Sequence, residues 1–249
     1  MAIFDTAKFA AIAPGLFEKL QYHGQLESTN DEAHRIAAGG AEHGTVILAE
    51  KQTKGRGRRG AAWLSEPGEG LTFSVVLRPD FGGEHYSKIA LAAGLGIATA
   101  LRESFSIAAE LKWPNDILIQ DRKCCGILVE ARDNYVVLGV GINVLKSPEN
   151  AEFISISDLS SEPVSRERTL AAMIAAIMSE VKTCAEDFPS QLYRIDTISW
   201  LNGKKITFLS GEKPHVGVVE DIAGDGSLVV RTELGVKRFG QASGIRPVD

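Results

Sequence analysis

Residues 51–60 read Lys-Gln-Thr-Lys-Gly-Arg-Gly-Arg-Arg-Gly, with five positive charges and no negative ones. Glycines let a backbone turn and present N–H groups, and arginine forks grip carboxylate or phosphate oxygens in pairs. The segment therefore reads as a loop for a small anionic ligand, set against the plainer alternative of a solvated basic loop. Mutual repulsion is expected to keep it loose until an anion neutralises it. Gly55 to Gly60 also matches G-x-G-x-x-G, with Asp80 twenty residues on. The helix that a dinucleotide site needs is missing, because Ala61 to Pro67 ends in a proline and runs into Gly68 and Gly70. No Gly-Lys-Ser/Thr closes the run, which excludes a P-loop.

Two further strings could do chemistry. Lys112-Trp-Pro-Asn-Asp116 is a proline-stiffened turn whose carboxylate suits a Mg²⁺-phosphate contact and whose lysine suits phosphate; it also reads as an ordinary Asx-rich turn. Lys123-Cys-Cys-Gly126-Ile-Leu-Val-Glu130 sets a lysine at a strand entry, where its ammonium could reach a ligand at the sheet's end. Cys124 and Cys125 are adjacent and read as buried small hydrophobes.

The elements that must carry these strings follow from periodicity. Thr45–Glu50 and Leu71–Leu77 flank the basic loop as strands. A helix opens at Ser28 or Thr29, where Thr29-Asn-Asp-Glu32 fits a capping box. Apolar spacing predicts helices over Glu84–Phe105 and Ser165–Asp187. Glu110–Trp113, Ile117–Gln120, Gly126–Ala131 and Tyr135–Val144 read as strands joined by tight turns. The order predicts an α+β fold, a mixed, mainly antiparallel sheet with helices on one side. From Leu201 to Asp249, eight glycines in 49 residues separate short strands, predicting a small β barrel.

Composition narrows the partners. The chain has 249 residues and a net charge of −5, which disfavours nonspecific nucleic-acid or anionic-membrane binding. Its longest apolar run, 135–145, contains Gly139, Gly141 and Asn143 and is far short of the ~20 residues that cross a bilayer. Met1 to Asp5 lack the start of a secretory signal. Three cysteines without spaced pairs suggest a reducing cytoplasm.

In order, Glu27-Ser-Thr-Asn30, Gln52 through Gly60, Trp63, Lys112–Asp116, Lys123-x-x-Gly126-Ile-Leu-Val-Glu130 and Gly139-Val-Gly-Ile-Asn143 closely resemble the biotin protein ligases. These enzymes attach biotin to the biotin carboxyl carrier subunit of acyl-CoA carboxylases. The resemblance runs from about Leu20 to the end. It implies a catalytic domain over 1–200, similar to class II aminoacyl-tRNA synthetases, and a small SH3-like β barrel over 201–249. It implies ATP and Mg²⁺ as cofactors, a biotinyl-5′-AMP intermediate and an acceptor lysine on the carrier protein. By matching position, Ser28, Thr29, Asn30, Gln52, Gly55 and Gly126 would serve biotin. Arg56, Gly57 and Arg58 would hold its carboxylate and the adenylate phosphate. Lys123 would neutralise charge at the reacting atoms, so Lys123, Arg56 and Arg58 are the catalytic candidates. Arg58, Trp63, Lys112, Asn115, Asp116 and Asn143 would serve ATP or the adenylate, with Trp63 on the adenine and Asp116 towards Mg²⁺ through phosphate.

Only 27 residues precede Ser28, without a helix-turn-helix pattern, so the expectation is a ligase without repressor activity and without a DNA partner. The sequence leaves the oligomeric state open, a homodimer included. The related lipoate or octanoate transfer enzymes are the nearest rival, and the Gly-Arg-Gly-Arg-Arg-Gly loop argues for biotin. A nucleic-acid-binding module would need a broader basic face with interleaved aromatics than this one cluster offers.

Overall fold

The computed structural model describes residues 3–132 and 134–248; Met1 and Ala2, read above as part of an amino terminus without a signal, lie outside them. Two short helices, α1 (Thr6–Ile12) and α2 (Pro14–Phe17), lead into β1 (Leu20–Leu26), α3 (Thr29–Ala38) and β2 (Val46–Gln52). After the basic loop come β3 (Gly70–Leu77), α4 (Tyr86–Phe105), β4 (Glu110–Lys112), β5 (Asp116–Ile119), β6 (Arg122–Arg132) and β7 (Tyr135–Asn143). Helices α5 (Arg166–Thr183) and α6 (Phe188–Asp196) then precede β8 (Lys205–Ser210), β9 (Lys213–Ile222), β10 (Leu228–Thr232), β11 (Gly235–Phe239) and β12 (Ser243–Pro247).

The first seven strands form one sheet in the order β1-β2-β3-β7-β6-β5-β4. Only the β1–β2 pair is parallel, since a crossover through α3 returns the chain in the same direction. Successive residues of β2 point to opposite faces. Val46 and Leu48 join Val75, Leu77 and Leu138 in the core under α4 and α5. Ile47 joins Val76 and Val137 on the other face, where Ala33 and Ala37 of α3 cover them. The two long helices thus share one face as expected, and short α3 takes the other. A Cβ on Gly96 of α4 would lie 2.8 Å from the carbonyl oxygen of Ala176 in α5, so the bare glycine lets the two helices approach.

The chain's last five strands form an antiparallel sheet, β11-β10-β9-β8-β12. Its apolar residues, including Ile206, Phe208, Val219 and Phe239, are continuous with the core beneath α4. Phe208 and Phe239 meet edge to face at 4.8 Å. Trp113 Nε1 donates to the Gly226 carbonyl at 2.9 Å, tying this sheet to the Trp-Pro-Asn-Asp turn. Among the described residues no helix is long and apolar enough to cross a membrane.

Candidate active site

On the α3 side of the large sheet, α3 covers only part of the surface. Beside it, two cross-strand rows are bare at their glycines: Asp116–Gly126–Gly141–Thr72 and Leu128–Gly139–Ser74. A Cβ on Gly139 would stand 2.2 Å from Asn30 Oδ1, and one on Gly141 2.1 Å from Trp63 Cε2. The floor must be backbone for Asn30 and Trp63 to lie on it. The N-terminal turn of α3 forms one wall and the loop between β2 and β3 the other, around a cavity of about 210 Å³.

A chain of short hydrogen bonds holds the α3 wall. The Thr29 N–H and hydroxyl both donate to Gln52 Oε1, at 2.6 and 3.0 Å. Ser74 Oγ lies 2.8 Å from Thr29 Oγ1 and 2.6 Å from Asn30 Oδ1. Asn30 Nδ2 donates to Glu130 Oε2 at 2.6 Å. The expected capping box is not made. Ser28 occupies the cap position without a side-chain capping bond, and Glu32 pairs with Arg35 at 2.6 Å. Gln52 takes the first-turn amide instead, so the helix terminus is satisfied by a pocket residue.

The basic loop is secured by protein groups. Arg56 donates to both Asp31 oxygens at 2.8 and 2.7 Å, to Ser28 Oγ at 3.2 Å and to Glu130 at 3.2 Å. The Arg56 bond holds the Asp31 carboxyl below its usual range, and the same bond raises Arg56. Arg58 Nη1 donates to Asn115 Oδ1 at 3.1 Å; burial, with Arg59 beside it, pushes its guanidinium down. Arg59 bonds Ser243 in β12. The Gly57 N–H donates to Ala61 O at 2.6 Å, and the Trp63 N–H to Gly55 O at 3.0 Å. The repulsion expected along this run is therefore answered by Asp31, Glu130, Asn115 and the loop's own carbonyls.

Of the residues singled out from the sequence, Ser28, Thr29, Asn30, Gln52, Arg56, Gly57, Arg58, Trp63, Asn115, Asp116, Lys123 and Gly126 line this cavity. Lys123 Nζ lies 2.7 Å from Asp116 Oδ1 and 5.9 Å from the Trp63 ring centre. Three residues stand elsewhere. Gly55 is behind the wall, its Cβ position 2.4 Å from Trp63 O. Lys112 stacks 4.8 Å over Trp200, and burial lowers its ammonium pKa; it borders an adjoining cleft with Arg59, Asn115, Asp116 and Arg246. Asn143 is turned from the cavity, with Nδ2 on the carbonyls of Ile154 at 3.2 Å and Lys123 at 3.5 Å. It faces a second, smaller cavity on the far side of Trp63, whose indole borders both.

A model of the biotin/lipoate A/B protein ligase family matches residues 23–147. The biotin--[acetyl-CoA-carboxylase] ligase of Mycobacterium tuberculosis is 32% identical over 220 residues, covering 85% of this chain and 83% of that protein. The chain belongs to this family. The bifunctional ligase/repressor BirA of Bacillus subtilis is 39% identical over 138 residues, 53% of this chain, and the match spans only 42% of that relative. The biotin protein ligase of Aquifex aeolicus, solved in complex with biotin and ATP, superposes with a TM-score of 0.81 at 29% identity. It covers 92% of this chain, which in turn covers 99% of it.

Glu130, Gly139 and Gly141 stood inside the quoted motifs without an assigned part. Two glycines two apart in a buried strand signal a bare patch on one face, which is what they form. Asp31 and Ser74 carried no signal, because only the closed structure sets them beside Arg56 and Asn30. The donor set does not fit a protein-held Mg²⁺. Asp116 is paired with Lys123, and among the described residues no three His, Cys, Asp or Glu cluster as a metal site. A magnesium ion here would arrive on the phosphates of ATP, as part of the substrate. Cys124, Cys125 and Cys184 are free and buried, and burial pushes the Cys124 thiol up to about 12.

Proposed function

We propose that the chain joins biotin and ATP to give biotinyl-5′-AMP and pyrophosphate, then passes biotin to a lysine of the biotin carboxyl carrier subunit of an acyl-CoA carboxylase. The observation that carries this reading is a single cavity that joins neutral amide and hydroxyl groups to three cations over a glycine floor. Biotin offers a cyclic urea for the Gln52, Thr29 and Ser28 groups. Its fused rings lie on the backbone around Gly126, and its carboxylate reaches Arg56, Arg58 and Lys123.

In the first step a carboxylate oxygen attacks the α-phosphorus of ATP and the bond to pyrophosphate breaks. In the second, the acceptor amine attacks the acyl carbon, AMP leaves, and the amine's extra proton is lost. Negative charge builds on oxygen in both, so fixed cations lower both barriers. Lys123 faces the reacting carboxylate and phosphate. Arg58 and Arg56 hold the adenylate under the loop, keeping water from the mixed anhydride. Trp63, Asn115 and Asp116 stand towards the nucleotide and Lys112 towards its phosphates, while Asn143 braces the segment at Ile154.

Phe4 and Phe9, ahead of β1, are buried in the core and tie this segment to the catalytic part of the chain. The reaction belongs in the cytoplasm, with catalysis in 1–200 and the barrel-forming 201–249 closing the cleft beside Arg59. The test is incubation with ATP, Mg²⁺, labelled biotin and an apo carrier domain. Label on the carrier is expected; no label, with lipoate transferred instead, sinks the assignment.

A further inference from the structure

The terminal nitrogens of Arg56 are engaged by the protein's own carboxylates. Asp31 takes one hydrogen bond from each, at 2.8 and 2.7 Å, the two-pronged geometry that a ligand carboxylate would adopt on the same fork. Ser28 Oγ and Glu130 Oε2, both at 3.2 Å, take the remaining donors. The acids are not equivalent. Glu130 also receives Asn30 Nδ2, so it belongs to the wall. The Asp31 side chain is 55% exposed in the first turn of α3, and Arg56 is the group that its carboxylate grips. It can rotate into water without breaking another hydrogen bond to the described residues.

We infer that Asp31 is an internal competitor for the anion site: it holds the Arg56 fork and yields it to the carboxylate of an incoming ligand. The inference rests on the reading of this cavity as a biotin site, with Arg56 on the ligand's carboxylate. Binding an anion then includes the cost of displacing Asp31, whereas a neutral ligand that leaves Arg56 alone carries no such cost. Asp31 thereby sets how strongly the site prefers an acid over its amide, and it acts through Arg56 as a positioning residue.

The experiment compares biotin with biotinamide, which keeps the rings and lacks the charge, by calorimetric titration of the full chain without ATP. In Asp31→Asn, biotin should bind more tightly, on the order of five-fold, the upper range for a partly exposed ion pair. Biotinamide should bind as it does to the wild type. Asp31→Glu, which restores a competing carboxylate, should return the ratio of the two affinities towards wild type. Equal shifts for both ligands, no shift, or a selective loss of biotin affinity overturns the inference. Failure of the wild type to bind biotin at all overturns the biotin reading itself, so the two failures are distinct.

Discussion

Lys123 Nζ and Asp116 Oδ1 lie 2.7 Å apart across neighbouring strands, because a register shift between Ile117 and Leu118 sets Asp116 opposite Gly126 and Leu118 opposite Lys123. The glycine leaves room for the lysine side chain, whose Nζ would be 3.2 Å from a Cβ there. The ammonium thus sits at the cavity rim in an ion pair with a carboxylate. Lys123→Ala should stay folded, since the side chain is only part-buried. It should release pyrophosphate about 10²–10³-fold more slowly, as expected for loss of one fixed charge at a developing oxyanion. Wild-type pyrophosphate release would refute that placement.

Arg58 is partly buried, and its side chain reaches Asn115 at 3.1 Å. Removing it opens the loop wall while leaving the glycine floor and the α3 wall. Arg58→Ala should therefore form the adenylate and lose it to solvent, seen as free biotinyl-AMP in a filtration assay. A rate of intermediate release equal to the wild type would count against the part given to this loop wall.

Elements governed by local pattern were legible in the chain. The apolar spacing of 84–105 is observed as α4, starting two residues later at Tyr86 after a turn at Gly83–His85. The strands either side of the basic loop also run where their apolar, β-branched and aromatic content puts them. Strand β1 escaped notice because His23, Gly24 and Gln25 break its alternation, and it lies at the sheet edge. Helix α3 starts at Thr29, where the sequence opens it, but the partner of its first amide, Gln52, lies 23 residues away, which no local rule anticipates. Asn143 shows the same limit: its residue type suits a ligand, yet the carbonyls of Lys123 and Ile154 claim it. The charge run itself was plain, and its answering acids were not, since Glu130 lies 74 positions from Arg56.

The glycine floor makes its own prediction. Asn30 is fixed between Ser74 and Glu130, so it cannot move from a methyl group at position 139. Gly139→Ala should disturb the wall by about 1–3 kcal/mol of overpacking and weaken biotin binding by about ten- to a hundred-fold. The thermal transition should remain cooperative. Wild-type affinity in Gly139→Ala would show that the floor need not be bare.

Glu50 is a structural anchor outside the cavity. One oxygen accepts from the Phe4 N–H at 2.6 Å, Arg166 Nη2 at 2.8 Å and the Tyr22 hydroxyl at 3.1 Å. The other accepts from the Gly68 N–H at 3.0 Å, which pins the return end of the basic loop. Burial opposes its ionisation, but these donors outweigh it and leave its carboxyl below the usual range. Burial and the Glu50 charge push Tyr22 up to about 12. Glu50→Gln breaks a charge pair in which both side chains are almost fully buried, so it should cost about 3 kcal/mol in urea unfolding. A change under about 0.5 kcal/mol, the scale of an ordinary surface substitution, would show that the charge is dispensable.

Glu167 links the amino-terminal segment to α5 and gives a pH signature. Burial opposes its ionisation, yet the Ser165 hydroxyl at 2.6 Å, the Asp5 N–H at 3.1 Å and Lys8 at 3.0 Å more than compensate. Its carboxyl falls from 4.5 to about 2. Because the folded-state value is the lower one, its stabilisation is complete above 4.5 and drains away as pH falls towards about 2. Glu167→Gln should therefore be less stable than wild type at neutral pH, lose less stability across that acidic window, and converge with wild type at its lower end. Urea midpoints measured through the window test this. Parallel curves for the two proteins would mean that the carboxylate does not sense folding.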